Sequence, residues 1–342
     1  MQNNKNKKVL LIKLSSLGDI IFNIPLANAL KSAGYAVSWL VSEKGINVLN
    51  NNPCVDEVIL APFEKWKKNS WLKNLKEFLE LRKYIKQQNF DIVIDTQGRW
   101  KSLAFTLFSG IKRRLIGTDS KEFAYLGANE VVNVPPRGDW SLNVVKKYLL
   151  YAQYLGVQNP EIKMTLPPSE DKTTNKINDL LQNIDNTKPL AVLCPVTTWE
   201  TKHWDKDNWK SLVEKLNEKF SIVFTGTEKD VDYIEYINCG KHLNLAGKTG
   251  LSELIELFRR SDLVISLDSG STHLASASNA KRIVSIYCAT PKSYYSPIGE
   301  NHTALSGNLS CQFCHKRKCK LKGNEHNACT KIPTVEQVLE II

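Results

Sequence analysis

Short, uninterrupted apolar runs alternate along this chain with longer stretches whose apolar positions recur every three or four residues. The first pattern predicts strands buried on both faces and the second amphipathic helices, in the alternation that parallel α/β sheets require. Residues 9–14 form the first run. Ser15-Ser16-Leu17-Gly18-Asp19 turns from it into a helix over 20–31, which Gly34 closes. Strands are predicted at 36–41, 55–60, 91–94 and 112–117, with a long amphipathic helix over 71–88 and a helical pattern over 148–155. After residue 160 the character changes. Pro167-Pro168 and a run of Ser, Asp, Lys, Thr and Asn predict a linker that carries a short helix. A second series follows, with strands at 190–196, 221–225, 243–246, 263–267 and 282–288 and helices at 208–219, 251–260 and 272–278. The expected organisation is an N-terminal Rossmann-like domain over 1–165, a linker over 166–188, a C-terminal Rossmann-like domain over 189–332 and a final helix over 333–342. Two such open sheets are expected to bind ligands in a cleft at the carboxyl ends of their strands.

With 342 residues, 42% of them hydrophobic, each half is long enough to bury its own core. The opening MQNNKNKK is polar and basic, and the apolar run behind it is far too short for a signal sequence or a membrane span. These features predict a cytoplasmic chain. The formal charge of +11 predicts attraction to polyanions, and nucleic acid, acidic phospholipid and a phosphorylated glycolipid all fit it. No aromatic–basic RNA-binding motif or helix-turn-helix pattern accompanies the charge, which argues against nucleic acid. Of the eight cysteines, Cys194 and Cys288 sit in apolar runs and read as core, whereas Cys311, Cys314, Cys319 and Cys329 crowd into one segment. That spacing fits a structural zinc, with His315 and His326 as substitute ligands, and fits reduced thiols equally well. Disulfides fit a cytoplasmic chain poorly.

Three strand-to-helix turns carry candidate chemistry. Ser16, Gly18 and Asp19 open the first helix, where free backbone N–H groups and the helix dipole suit an anion. Gly18 permits close approach or a positive φ, and Asp19 would equally favour the helix amino end. G-x-G-x-x-G is missing there, which disfavours a nicotinamide-dependent dehydrogenase. Thr197-Thr198-Trp199-Glu200-Thr201-Lys202-His203-Trp204 follows the first strand of the second half. Its two leading hydroxyls and Lys202 suit a diphosphate, the lysine offsetting leaving-group charge. Asp268-Ser269-Gly270-Ser271-Thr272-His273 opens another helix, again a phosphate-binding shape or ordinary capping. Two look-alikes fail. Gly240 stands too far ahead of Gly247 for a Walker A loop, and Asp230-Val231-Asp232, which resembles a metal-binding DxD, opens a helix that favours acids anyway. In the first half, Lys65, Lys67 and Lys68 around Trp66, Lys101 beyond Gln97, and the pair Arg113 and Arg114 predict a basic face for phosphates.

Leu14 to Asp19, Asp95-Thr96-Gln97-Gly98 with Lys101 and Ser102, Thr197 to Trp204, Leu245 to Thr249, Asp268 to His273 and Tyr295 to Asn301 form an ordered set over nearly the whole chain. That set resembles glycosyltransferase family 9, the ADP-heptose:lipopolysaccharide heptosyltransferases, and residues 197–204 are most similar to the branch that adds the first heptose to Kdo2-lipid A. The resemblance implies an α/β fold of GT-B architecture and an inverting transfer from ADP-heptose to Kdo2-lipid A. It also implies no cofactor in catalysis, no nucleic acid partner, and peripheral association with the inner face of the cytoplasmic membrane. By position it implies Asp19 as general base and Lys202 as the second catalytic residue. Thr197, Thr198 and Lys202 would hold the donor diphosphate, and Asp268, Ser269, Gly270 and His273 would form the second donor loop. Asp230 and Thr249 would lie near the nucleoside. The acceptor is expected on Ser16, Gly18, Lys65, Lys67, Lys68, Gln97, Lys101, Arg113 and Arg114. Ser269 stands where threonine is expected and Asp230 where glutamate is common, with Glu228 as its alternative, and Tyr287-Cys288-Ala289-Thr290 departs from Phe-Gly-Pro-Thr. The alternatives are a family 9 transferase adding a later heptose and, from another class, a basic nucleotide- or nucleic-acid-binding α/β protein without transferase activity.

Overall fold

The structure is a computed structural model that describes residues 7–342. The chain divides into two compact units, the first ending at Pro168 and the second starting at Ser169. Each is built on a six-stranded parallel sheet. The first comprises β1 (Lys8–Ile12), β2 (Ala36–Val41), β3 (Glu57–Leu60), β4 (Ile92–Asp95), β5 (Arg113–Gly117) and β6 (Glu130–Val132), in the order β3-β2-β1-β4-β5-β6. The second comprises β7 (Leu190–Cys194), β8 (Ser221–Phe224), β9 (Leu243–Asn244), β10 (Leu263–Leu267), β11 (Ile283–Tyr287) and β12 (His302–Ser306), in the order β9-β8-β7-β10-β11-β12. Both sheets therefore share one doubly wound topology. The winding reverses once in each, between β1 and β4 and between β7 and β10, and the loops at those strand ends part to leave a crevice.

The central strands are apolar on both sides because helices cover both faces: every residue of β7 and β10 is buried, as are Val9 to Ile12 of β1. The Leu17–Ser32 helix buries Ile20 through Ala27 and packs on the Val144–Tyr154 helix. It ends where Gly34, at φ +90°, lets Tyr35 N–H return to the Leu30 carbonyl.

Several elements depart from the sequence reading. The edge strands β6 and β12 and the Trp100–Leu107 helix were not anticipated. The stretch expected as linker carries the Asp171–Leu181 helix, which buries Ile177 and packs against the Leu251–Arg260 helix. Ser169 donates to Glu256 (2.6 Å) and Lys176 pairs with Glu253 (2.9 Å), so this stretch is structurally part of the second unit. The final helix is shorter than expected, Val335–Leu339, and sets Val335 and Val338 into the second unit's core. Among the described residues no helix is long and apolar enough to cross a membrane.

Candidate active site

In the first unit, the β1 and β4 ends are tied by Gln97, whose Oε1 accepts from the N–H groups of Leu14 (3.0 Å) and Ser15 (3.2 Å). The turn that carries Gln97 is organised by Asp95, which is fully buried. Its Oδ1 accepts from the N–H groups of Gln97 and Gly98, both at 2.9 Å, and its Oδ2 from the Thr106 hydroxyl at 3.2 Å. Burial pushes the Asp95 carboxyl up, against the pull of those hydrogen bonds. Gly98 has φ +59°, and an added Cβ would stand 3.3 Å from Ser120 Cα, so the turn requires glycine.

Ser16 precedes the Leu17–Ser32 helix, and Asp19 in its first turn accepts on Oδ2 from Ser16 N (3.1 Å) and Oγ (2.9 Å). One oxygen of Asp19 is thus engaged in a capping box. Among the described residues its Oδ1 accepts no hydrogen bond and faces the Lys13 ammonium at 3.8 Å. Lys13 is buried, and it donates to the Thr96 carbonyl (3.0 Å) and the Tyr148 hydroxyl (2.9 Å). A half-exposed carboxylate therefore stands between a fixed, buried cation and open space. Gly18 lies inside the helical turn and lacks a positive φ, so close approach is what it offers.

Lys13 was missed by sequence reasoning. Replacing it with methionine removes the ammonium's hydrogen bonds and leaves the Thr96 carbonyl short of a buried donor, a loss of about 1–3 kcal/mol. Thermal denaturation of Lys13→Met is expected to show a midpoint lower by roughly 2–12 °C. An unchanged midpoint would mean that water replaces the ammonium.

In the second unit, the loops after β7 and β10 meet through charge. Lys202 Nζ lies 2.7 Å from Asp268 Oδ2, with the two side chains 15% and 3% exposed. Thr290 also donates to Asp268 Oδ2 (2.5 Å), and His273 Nε2 lies 3.8 Å from Oδ1. Burial alone would raise the Asp268 carboxyl, but His273 and Lys202 outweigh it and hold the group well below the usual carboxylate range. Lys202 is further placed by aromatic faces, 4.5 Å from the Trp199 ring centre and 5.8 Å from that of Tyr295. His203 Nε2 meets the Thr197 carbonyl (2.9 Å), and Thr197 Oγ1 donates to the Asp268 carbonyl (3.4 Å). Thr198 is exposed at the tip of the same loop. The Gly270–Ala277 helix starts here, and the Ser269 hydroxyl before it is buried with no partner among the described residues. The turns expected near the nucleoside lie on the other side of β7, after β8 and β9. Gly247 N–H bonds the Gly226 carbonyl (3.0 Å), bringing the Thr249 and Asp230 turns together after β9 and β8.

Other predicted residues are not brought to these strand ends. Arg113 and Arg114 begin β5, at the amino edge of the sheet opposite Asp19. Arg113 pairs with Glu130 through two 2.8 Å contacts, and Arg114 donates to the Gly127 (2.6 Å) and Ile111 (2.9 Å) carbonyls. Both are therefore structural. The expected lysine face is largely neutralised within itself: Lys65 pairs with Glu77 (2.8 Å) and Lys67 with Glu64 (2.9 Å). Those hydrogen bonds hold Glu77 and Glu64 below the usual carboxylate range. Lys68 is exposed, and Lys101 stands over the rings of Phe63 and Trp100. Asp230 engages its Oδ2 with Thr227 N (2.8 Å) and Oγ1 (2.6 Å), so a helix cap already uses half of that carboxylate.

The cysteine segment acts as a backing for the Lys202 loop. Thr201 donates to the Lys316 carbonyl, Asn327 Nδ2 to Glu200 (3.0 Å) and His315 N to the Ala289 carbonyl (2.8 Å), while the His315 ring packs on Trp199 and Tyr295. All eight cysteines are free. Burial, then the nearby thiols of Cys314, Cys311 and Cys319, push Cys329 up to about 11. Among the described residues no group of three or more His, Cys, Asp or Glu side chains is arranged to hold a metal ion.

The family model described as Glycosyltransferase family 9 (heptosyltransferase) matches residues 78–324. Lipopolysaccharide heptosyltransferase 1 of Pseudomonas aeruginosa is 26% identical over 328 residues, 94% of this chain and 89% of that protein. Among solved structures, the glycosyl transferase family 9 protein of Veillonella parvula matches with a TM-score of 0.82 at 17% identity, over 99% of this chain and 97% of that one. The E. coli heptosyltransferase WaaC with ADP matches with a TM-score of 0.72 at 22% identity, over 98% of each chain. The solved structures share the two-sheet GT-B fold, and the family model covers well over half of the sequence: this chain belongs to glycosyltransferase family 9 and is a heptosyltransferase.

Proposed function

We propose that the protein transfers L-glycero-D-manno-heptose from ADP-heptose to a Kdo hydroxyl of Kdo2-lipid A, inverting the anomeric centre. The observation that carries this reading is the Asp19 carboxylate at a strand-end crevice, with one oxygen fixed by its cap and the other free of hydrogen bonds among the described residues, 3.8 Å from the Lys13 ammonium. Asp19 Oδ1 takes the proton of the acceptor hydroxyl as that oxygen attacks the anomeric carbon, and the bond from this carbon to the diphosphate breaks, releasing ADP with the electron pair. Charge developing on the diphosphate is met by Lys202, which has further N–H donors beyond the one turned to Asp268, and by the amino end of the Gly270–Ala277 helix. Thr197, Thr198 and Ser269 supply hydroxyls beside it, and Thr249 and Asp230 flank the nucleoside. ADP present in the E. coli WaaC structure supports the nucleotide, and relatives such as the P. aeruginosa heptosyltransferase 1 support the first-heptose step. The acceptor is held in a membrane by its lipid, so the enzyme works peripherally at the inner face of the cytoplasmic membrane. Ser16 contacts Asp19 directly, Gly18 precedes it, and Gln97 ties down the adjoining Leu14–Ser15 backbone, so these residues flank the proton-transfer step.

Mass spectrometry of reactions with ADP-heptose tests the assignment. Kdo2-lipid A is expected to gain one heptose. Turnover confined to an already heptosylated acceptor would move the enzyme to a later step. Salt-sensitive nucleic acid binding without turnover on either acceptor would overturn the reading.

A further inference from the structure

The Trp71–Gln87 helix packs inward through Ile85, Phe78 and Leu81, with Phe78 against Phe105. Its outer side is not the polar face that such a helix ordinarily shows to water. Leu72, Leu75 and Leu79 are 62%, 45% and 47% exposed, and their i, i+3, i+7 spacing sets them in one stripe, which Trp71 opens at 70% exposure. The leucines line a shallow groove with Lys76, Glu80 and Lys83. Lys76 and Lys83 stand one and three turns after Leu72 on the same stripe, and among the described residues neither has an ion pair. Exposed Phe108 continues the surface, since Arg82 Nε donates to its carbonyl (3.0 Å) and the guanidinium lies over its ring. A contiguous exposed apolar stripe edged by unpaired cations marks an interaction surface.

Charge selects the partner. A second copy of this helix would press Lys76 and Lys83 against like charge in a seam of low dielectric. An anionic bilayer takes the leucines and Trp71 at the boundary of headgroups and acyl chains, while the lysine stems snorkel to lipid phosphates. The overall charge of +11 acts in the same direction. We propose that the outward face of the Trp71–Gln87 helix is the surface by which this enzyme docks on anionic phospholipid membranes, lying in the plane of the interface. The basic Lys65, Lys67 and Lys68 cluster suits this role less well, since two of its cations are paired with glutamates. The inference deepens the acceptor reading above, because a lipid-anchored acceptor lies in such a membrane, yet its test needs no acceptor.

The test is flotation of the full chain with vesicles of equimolar phosphatidylglycerol and phosphatidylcholine, against vesicles of phosphatidylcholine alone. The wild type is expected to float with the anionic vesicles. Leu72→Ser/Leu75→Ser/Leu79→Ser should lower its partition about 10-fold or more. Lys76→Gln/Lys83→Gln should lower it several-fold and flatten its salt dependence. Unchanged thermal midpoints show that these exposed changes leave the fold intact. Heptose transfer to a delipidated Kdo acceptor should also be unchanged in both variants, so that failure of the enzymatic reading and failure of the docking surface give different results. Wild-type flotation in the triple variant overturns the proposal. So does a wild-type dimer that the triple change dissociates while vesicle binding persists, since the leucines would then cover a second copy.

Discussion

Asp19→Asn is expected to lower turnover about 10²–10⁴-fold, the range that a positioned general base contributes. The substitution is nearly isosteric. An asparagine carbonyl oxygen can still accept from Ser16 N and Oγ, so the capping box and the entry to the Leu17–Ser32 helix survive. What is lost is the second oxygen's ability to take a proton, together with the negative charge that faces Lys13. The KM for ADP-heptose should change little, because the donor contacts proposed here all lie in the second unit. Steady-state kinetics with both substrates varied separates the cases. A folded Asn variant with wild-type turnover would reduce Asp19 to a helix cap, and a raised donor KM at constant kcat would make it a binding group.

Much of the fold was legible because strands buried on both faces leave a plain record: 36–41 and 263–267 coincide with β2 and β10. The strands that escaped lie at sheet edges. β6 has three residues, and β12 is polar, with all five positions only partly buried, so neither shows an apolar run. The strand-to-helix turns were legible for a topological reason, since short polar turns after apolar strands mark the carboxyl ends where doubly wound sheets bind ligands. What could not be read was pairing across long sequence separations. Lys13 looks like an interruption at the end of an apolar run, and only the fold brings Tyr148 against it. Thr290 reaches Asp268 from 22 residues away. Conversely, Lys65 and Arg113 looked free in sequence because Glu77 and Glu130 meet them only after folding, while the Lys67–Glu64 pair is local. A basic run is thus weak evidence for an anion site until its acidic partners are located.

Asp268→Ala is expected to destabilise the second unit by about 3–5 kcal/mol, because it strands a nearly buried ammonium rather than merely deleting a contact. For a unit of this size that is roughly 6–20 °C in the melting midpoint. Thr290 loses its acceptor in the same step, and His273 loses the charge beside its Nε2. The sign with pH follows from the direction of the shift. A carboxyl held below its ordinary value contributes stability that is fully present above that value and is lost as pH falls through the folded one. The wild type should therefore keep this contribution at neutral pH and lose it progressively below about pH 4, whereas Asp268→Ala should show a flatter acid limb. Calorimetry across this range is the measurement. A second variant isolates the buried charge as the cause: Lys202→Met/Asp268→Leu removes both partners and should melt above Asp268→Ala although more of the site is gone, since no uncompensated ion remains. If the double variant melts lower than the single one, the loss comes from packing and hydrogen bonding around Thr290, and the Lys202–Asp268 pair is not what holds the donor loop to β10.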